Sequence, residues 1–364
     1  MGRFHSSHLA QRLLRVLGLF TSMLIVTSCA ISLPPNFTVT ETTSSSLNPP
    51  GPGSGFGDRQ NSYAWSMAWF NGKLYVGTAR NELCLEGVTQ DFFFPGKGDY
   101  QTNPGIGVTC PPDKYDLDLR AEIWQYDPTI SNPSQAWQRV YQSPADIPNP
   151  REAGKFVAED VGFRGMVVYT DPSDPTGTPA LYVGGVTADE YIPELQVSHP
   201  PRILRTTDGK TFTPVNGSPG LVTYDVGSGP SQVHPMGYRA MVVYNGRLFV
   251  TASPDLTGDG PIIEVTNASG ANPTFTQVSQ PNLNVFELQT FNGHLYAGTG
   301  STQNGYGVSR TDATGTAPYV FTPIVSGGAG RGQNVTAVVS MYAFQGRLYV
   351  GSSGWVNSLF PSSE

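Results

Sequence analysis

Charge is what this 364-residue chain has least of. Asp, Glu, Lys and Arg together make 13% of it, about half the share usual in globular proteins. Lys and Arg number 21 against 28 Asp and Glu, a net charge of −7. A partner held by phosphate neutralisation needs a basic surface, so nucleic acid is excluded as the main partner. Cysteine is scarce too, at three residues, and no Cys-x-x-Cys or Cys/His spacing is present, which excludes structural zinc. The apolar run Val16–Val26 is only 11 residues long, too short to cross a bilayer. No later stretch sustains a 3.6-residue apolar period, so long helices are excluded. The P-loop pattern, Gly-x-Ser-x-Gly, His-Glu-x-x-His and the EF-hand spacing are all missing, and neither cofactor nor metal is expected. Asp255-Leu-Thr-Gly-Asp-Gly260 has too few ligands for calcium. What abounds is glycine (42), proline (31) and aromatics (11%). Many turn-formers with enough aromatic bulk for a core describe an all-β chain of short strands.

The N-terminus reads as an export signal. Arg3, Arg12 and Arg15 precede the apolar run, and Val26-Thr27-Ser28-Cys29 follows it. This end resembles the lipobox of bacterial lipoproteins. The resemblance implies a signal peptide over 1–28, a lipidated Cys29 as mature N-terminus, and an exported protein of the bacterial cell envelope that touches membrane only through its lipid anchor. Plain secretion and a retained anchor are the alternatives. Residues 29–58, rich in Ser, Thr, Pro and Gly, read as a flexible tether. Cys84 and Cys110 remain, 26 residues apart in one polar loop. In an oxidising compartment they are expected to pair; in a reducing one they would be two thiols.

From residue 59 onward the chain repeats. Met67-Ala-Trp-Phe-Asn-Gly-Lys-Leu-Tyr-Val-Gly77 returns as Met166-Val-Val-Tyr with Ala180-Leu-Tyr-Val-Gly184. It returns again at Met241–Val250, Leu288–Gly298 and Met341–Gly351. Each unit is strand, tight turn, strand, and Asn-Gly supplies the positive φ of a two-residue hairpin. A second hairpin follows each of the first four, as in Ile203-Leu-Arg-Thr with Thr211-Phe-Thr-Pro-Val. The aromatics Phe70, Tyr169, Tyr244, Phe291 and Phe344 are spaced 99, 75, 47 and 53 residues apart. The last two intervals suit a propeller blade and the first two carry insertions. The expected fold is a β-propeller of four-stranded blades over 59–364, five repeats visible and the last incomplete. A β-sandwich with incidental hairpins is the alternative.

Asn71-Gly-Lys-Leu-Tyr-Val-Gly with Gln125-Tyr-Asp-Pro and Trp137 resembles kelch repeats, although the kelch double glycine occurs only at Gly184-Gly185. Arg205-Thr-Thr-Asp-Gly-Lys-Thr-Phe212 resembles the Asp-box hairpin of sialidase propellers, one residue short. These resemblances imply the fold and leave function open, because propellers host many chemistries. The fifth repeat stops after two strands. Either the chain is a fragment of a longer propeller, the favoured reading, or residues 36–42 return to the last blade.

Strand order assigns the faces. The long segments 79–120, 186–201, 142–160 and 218–236 all fall at one end of the blades, where function concentrates on rigid scaffolds. Arg80 and Glu82 follow an inner hairpin and join that rim. At the start of the innermost strands stand Trp65, Arg164, Arg239, Phe286 and Val339. Arg164 and Arg239 could converge on a carboxylate or phosphate, or each could serve the repeat by bonding carbonyls or an acid of the neighbouring blade. Loop 186–202 carries Asp189, Glu190, Tyr191, Glu194, His199 and Arg202. Its acids and His199, with Glu287, are the candidates for acid/base catalysis. Trp65, Arg164, Tyr191, Arg202 and Arg239 are the candidates for ligand binding. The leading reading is an exported binding or scaffold module that contacts a glycan or a protein through the long-loop face. The alternatives are a carbohydrate-active hydrolase or lyase and a purely structural repeat protein.

Overall fold

The computed structural model describes residues 53–353, apart from 86–99, 101, 103–107, 191, 193–194, 196–198, 226–228, 255–258 and 302. The signal peptide, Cys29, residues 36–42, Tyr191 and Glu194 lie outside the described residues, as do 255–258 and 354–364.

The first meander is β1 (Asn61–Phe70), β2 (Lys73–Arg80), β3 (Glu122–Tyr126) and β4 (Trp137–Gln142), each antiparallel to the next. A small hairpin follows, β5 (Ala145–Pro148) with β6 (Phe156–Ala158). The second meander is β7 (Gly162–Tyr169), β8 (Ala180–Val186), β9 (Ile203–Thr206) and β10 (Thr213–Pro214). Another hairpin, β11 (Val222–Tyr224) with β12 (Ser231–Val233), precedes the third. That meander is β13 (Gly237–Tyr244), β14 (Arg247–Ser253), β15 (Ile262–Thr266) and β16 (Thr274–Gln277). The fourth is β17 (Val285–Phe291), β18 (His294–Thr299), β19 (Gly307–Thr311) and β20 (Thr322–Val325). A last pair is β21 (Ala337–Phe344) with β22 (Arg347–Ser353). This is an all-β fold of propeller blades. The two small hairpins lie in connections that the sequence showed only as long segments.

The repeated turn sets the register. Asn71 and Gly72 hold φ of 49° and 75°, and Gln345-Gly346 reaches the same geometry at 47° and 72° without the asparagine. Each blade meets the next through a single bridging residue pair, at the end of the second strand in three cases and just before the third strand at Gly260. The pairs are Ala79 with Gly162, Val186 with Gly237, Gly260 with Val285, and Gly300 with Ala337. Apolar side chains fill the wedges. Phe70, Tyr75, Ile123, Phe163 and Leu204 pack between the first two blades. Tyr182, Tyr238, Leu248 and Ile263 fill the second wedge, and Phe249, Ile262, Leu288 and Leu295 the third. Each such side chain contributes about 1.5–3 kcal/mol on burial. The repeat aromatics add a polar tie: Tyr169 donates its hydroxyl to Gly246 O at 3.3 Å, and Tyr244 to Gly293 O at 2.7 Å. In both cases the acceptor is the inner turn of the following blade.

The two end sheets differ from the rest. Phe344 and Tyr349 are 48% and 50% exposed, whereas the equivalent Phe70 and Tyr75 are 4% and 1%. Met67 is 61% exposed while its counterpart Met341 is 8%. Among the described residues, these faces of the first and last sheets are the uncovered ones of the repeat.

Cys84 and Cys110 form the disulfide. Both are buried with Leu85, Val108, Ala188, Ile192 and Leu195 in one apolar cluster. Closing 26 residues of separation removes about 3 kcal/mol of unfolded-chain entropy. Cys84→Ser is expected to lower the unfolding free energy by that amount, read from denaturant curves.

Candidate functional site

All five innermost strands break register at the same point. The interruptions fall between Ala64 and Ser66, Phe163 and Gly165, Tyr238 and Met241, Val285 and Glu287, and Val338 and Ser340. A bulge of this kind re-aims a side chain out of the ladder. The residues it releases are Trp65, Arg164, Arg239, Phe286 and Val339, the aligned set at the strand starts. The bulges lie near the ends of the strands fed by the long connections, so these side chains belong to the long-loop face.

They come together. The Arg164 guanidinium lies 4.9 Å from the centre of the Trp65 ring, and that of Arg239 lies 5.2 Å from the Phe286 ring. Arg239 donates through Nε and Nη2 to Glu287 Oε1, each at 3.2 Å. Arg164 acts electrostatically on the same carboxylate. Arg164 on the second blade therefore senses Trp65 on the first and Glu287 on the fourth. The rings are seated by glycine: a Cβ on Gly162 would overlap the Trp65 ring, and one on Gly300 would overlap Phe286. Trp65, Arg164, Arg239, Phe286 and Glu287 are all half-buried. Burial pushes the Glu287 carboxyl above its ordinary value, and the two guanidinium groups offset part of the rise. Arg239 thus makes the inter-blade bond to an acid that its position in the repeat allows, and the same bond brings the acid to the centre.

Arg202 turns away from this ring. Its guanidinium pairs with both Glu159 and Asp160 and donates to the Tyr141 hydroxyl at 3.2 Å. The Asp160 side chain is 0% exposed, its backbone N–H bonds Ser143 Oγ at 2.8 Å, and its carbonyl accepts from Ala121 N–H at 3.1 Å. Burial pushes Tyr141 up to about 12 and raises Glu159. His199 is half-buried beside this cluster, and burial together with Arg202 lowers it below its ordinary 6.5 while Asp160 and Asp146 oppose the shift. Arg202 and Asp160 join the first and second blades. Glu159, Asp160 and Tyr141 were not among the sequence candidates, since no periodic signal links 159–160 to position 202.

The sign of the His199 shift gives a test. Between its folded value and 6.5 the unfolded chain takes the proton first, so acid destabilises the fold there. Glu159, raised by burial, works in the opposite sense. Relative to His199→Gln, the native protein is expected to lose stability as pH falls from about 7 toward 5, by at most ~1.4 kcal/mol per pH unit. Urea unfolding of both proteins across that range reads the difference.

Asp189 sits in a short 3-10 turn over Ala188–Glu190, held from within by the buried Ile192 and Leu195. Arg80 is 7% exposed and pairs with Asp58 at 2.8 Å and Asp118 at 3.5 Å, a structural role at the mouth of the disulfide loop. Asp208 organises the Asp-box-like turn, accepting from the Lys210 and Thr211 N–H groups at 2.8 and 2.7 Å. Those bonds hold its carboxyl well below the usual range. Asp259 accepts from the Tyr224 hydroxyl at 2.9 Å. Among the described residues no three His, Cys, Asp or Glu side chains group as metal ligands, and no helix is long and apolar enough to cross a membrane.

No protein-family model and no curated protein matches the chain. Solved structures do. An α-L-arabinofuranosidase (CtGH43) from Clostridium thermocellum aligns over 78% of this chain and 79% of its own, with 11% identity and a TM-score of 0.36. CoXyl43, a GH43 β-xylosidase/α-arabinofuranosidase from a compost metagenome, aligns over 78% and 83% with 13% identity and a TM-score of 0.32. A GH43_1 enzyme from Xanthomonas citri, complexed with xylose, aligns over 78% of each chain with 11% identity and a TM-score of 0.32. At such scores the likeness bears on no residue or activity of this chain, which its own side chains must carry.

Proposed function

We propose that this is a carbohydrate-active β-propeller whose glycan sits on the ring of bulged residues, with Glu287 as proton donor in cleavage of a glycosidic bond. One observation carries the reading. Side chains from four separate blades, Trp65, Arg164, Arg239 and Glu287, interact at the long-loop face. Aromatic rings suit the apolar faces of sugars. A carboxyl whose proton is held more tightly because of burial suits proton donation. A two-carboxylate mechanism needs a second acid, and Asp189 and Glu190 on the adjoining loop are the candidates for it. An export signal over 1–28 with a lipidated Cys29, as expected from sequence, would fit a protein that meets glycans outside the cell.

The experiment is a panel of neutral and acidic oligosaccharides offered to the full-length protein, with binding and reducing-end release measured together. Binding with turnover that Glu287→Gln abolishes supports the whole reading. Binding without turnover leaves a glycan-binding module and removes Glu287 as acid. Absence of both contradicts the proposal.

A further inference from the structure

The wedges between blades join the same two kinds of surface. Phe70 and Tyr75 of the first inner hairpin pack with Met166 and Val168 of the second. Tyr169 and Tyr182 pack with Met241 and Val243 of the third. Tyr244 and Phe249 pack with Leu288 of the fourth, and Phe291 and Tyr296 with Met341 of the fifth. Successive side chains on a strand point to opposite faces. Each inner hairpin therefore turns an aromatic face to the blade after it and a methionine or leucine face to the blade before it.

Among the described residues two faces lack that partner, and they are the opposite halves of the contact. The fifth sheet carries Phe344 and Tyr349 in the places of Phe70 and Tyr75, 48% and 50% exposed. Tyr342 stands across from Tyr349 in the register and is 67% exposed. The first sheet carries Met67 and Trp69 in the places of Met166 and Val168, 61% and 59% exposed. Their extents match as well. Trp124 of β3 holds the place of Leu204 in the second blade, and the Phe56 ring stacks on it with centres 4.8 Å apart. The outer part of the first face is thus covered, while its inner part at Met67 and Trp69 is open. The described fifth sheet is β21 with β22, an inner hairpin that covers an inner half.

We infer that copies of this chain associate head to tail, with Tyr342, Phe344 and Tyr349 of one copy packed on Met67 and Trp69 of the next. A contiguous exposed apolar patch marks an interaction surface. The partner is a second copy because the contact continues the one between consecutive blades, aromatic face on methionine face. Within one copy the two faces do not meet, since all five side chains are 48–67% exposed. A contact between two different patches is heterologous, so it leaves one free face at each end and builds a ring or a chain of copies.

Sedimentation velocity on the full-length protein tests it. The weight-average mass is expected to rise as the loading concentration is raised about a hundredfold, and the rise is expected to survive added salt, because the faces are apolar. Trp69→Glu and Tyr342→Glu, both at exposed positions, are each expected to stay monomeric with the native unfolding midpoint at low concentration. Met67→Lys and Phe344→Lys take their places if either unfolds early. An equimolar mixture of the two variants is expected to form a species of two chains and none larger, because each keeps the one face that the other needs. A native protein that is monomeric at every concentration overturns the inference. So does association that survives both substitutions, which places it on another surface, or association that only one of them blocks, which makes the contact isologous. Two monomeric variants that stay monomeric when mixed overturn it as well.

Discussion

Replacing Arg202 with leucine lowers the unfolding free energy by about 3–5 kcal/mol, the cost of leaving a buried ion pair half made. The guanidinium is 12% exposed, with Glu159 at 17% and Asp160 at 0% on either side. Taking it away leaves two adjacent carboxylates with little water and no cation. Tyr141 loses its partner at the same time. The defect depends on pH in a defined direction. Both acids are already pushed upward by burial, and losing Arg202 raises them further. Protonating them relieves the charge, so the gap between variant and native protein narrows from pH 7 to pH 5. A gap that stays constant would mean that Arg202 acts by packing alone. A gap under about 0.5 kcal/mol at pH 7, the size of an ordinary surface substitution, would show that Arg202 is available for a ligand, as its place in loop 186–202 suggests from sequence.

Trp65→Ala is expected to weaken glycan binding by about 30-fold or more, because a central aromatic truncated in a desolvated site costs about 2 kcal/mol or above. Two losses combine. The ring is the platform on which Arg164 lies, so the guanidinium loses its orientation along with the apolar surface. Trp65 is half-buried and packs against the apolar cluster that holds the disulfide, so its removal is also expected to lower the unfolding midpoint, and affinity is compared at a temperature where both proteins are folded. Trp65→Phe keeps a ring and restores part of the affinity. A Trp65→Ala protein that unfolds early and binds normally once folded would assign the ring to structure.

Much of this fold is legible in the residue string. The strand–turn–strand unit, with Asn-Gly at three of its five occurrences, marks the inner hairpins and their repetition. Alignment on the repeat aromatics also placed Trp65, Arg164, Arg239, Phe286 and Val339 at one level. Two things stayed hidden, for physical reasons. The bulges leave no signal, since the released residues are chemically unlike and a bulge is a property of pairing between strands. The Arg202 cluster is assembled from positions 141, 159, 160 and 202, which share no spacing and meet because β4 ends where β7 and β9 begin. Loop 186–202 read as a dense catalytic candidate, yet Ile192 and Leu195 are buried at 0% and 1% and fasten it to the disulfide loop. Those two apolar residues among the acids were the available sign of that role.

The most direct measurement is the indole N–H spectrum of the protein during titration with an oligosaccharide of the panel that binds. The chain has five tryptophans, and Trp65→Phe identifies the resonance in question. The account predicts a saturable shift of the Trp65 signal, at the same midpoint as calorimetry, and no such shift in Arg164→Met. Saturable binding that moves other indoles and leaves Trp65 in place would put the glycan elsewhere and contradict the assignment of the bulged ring as the site.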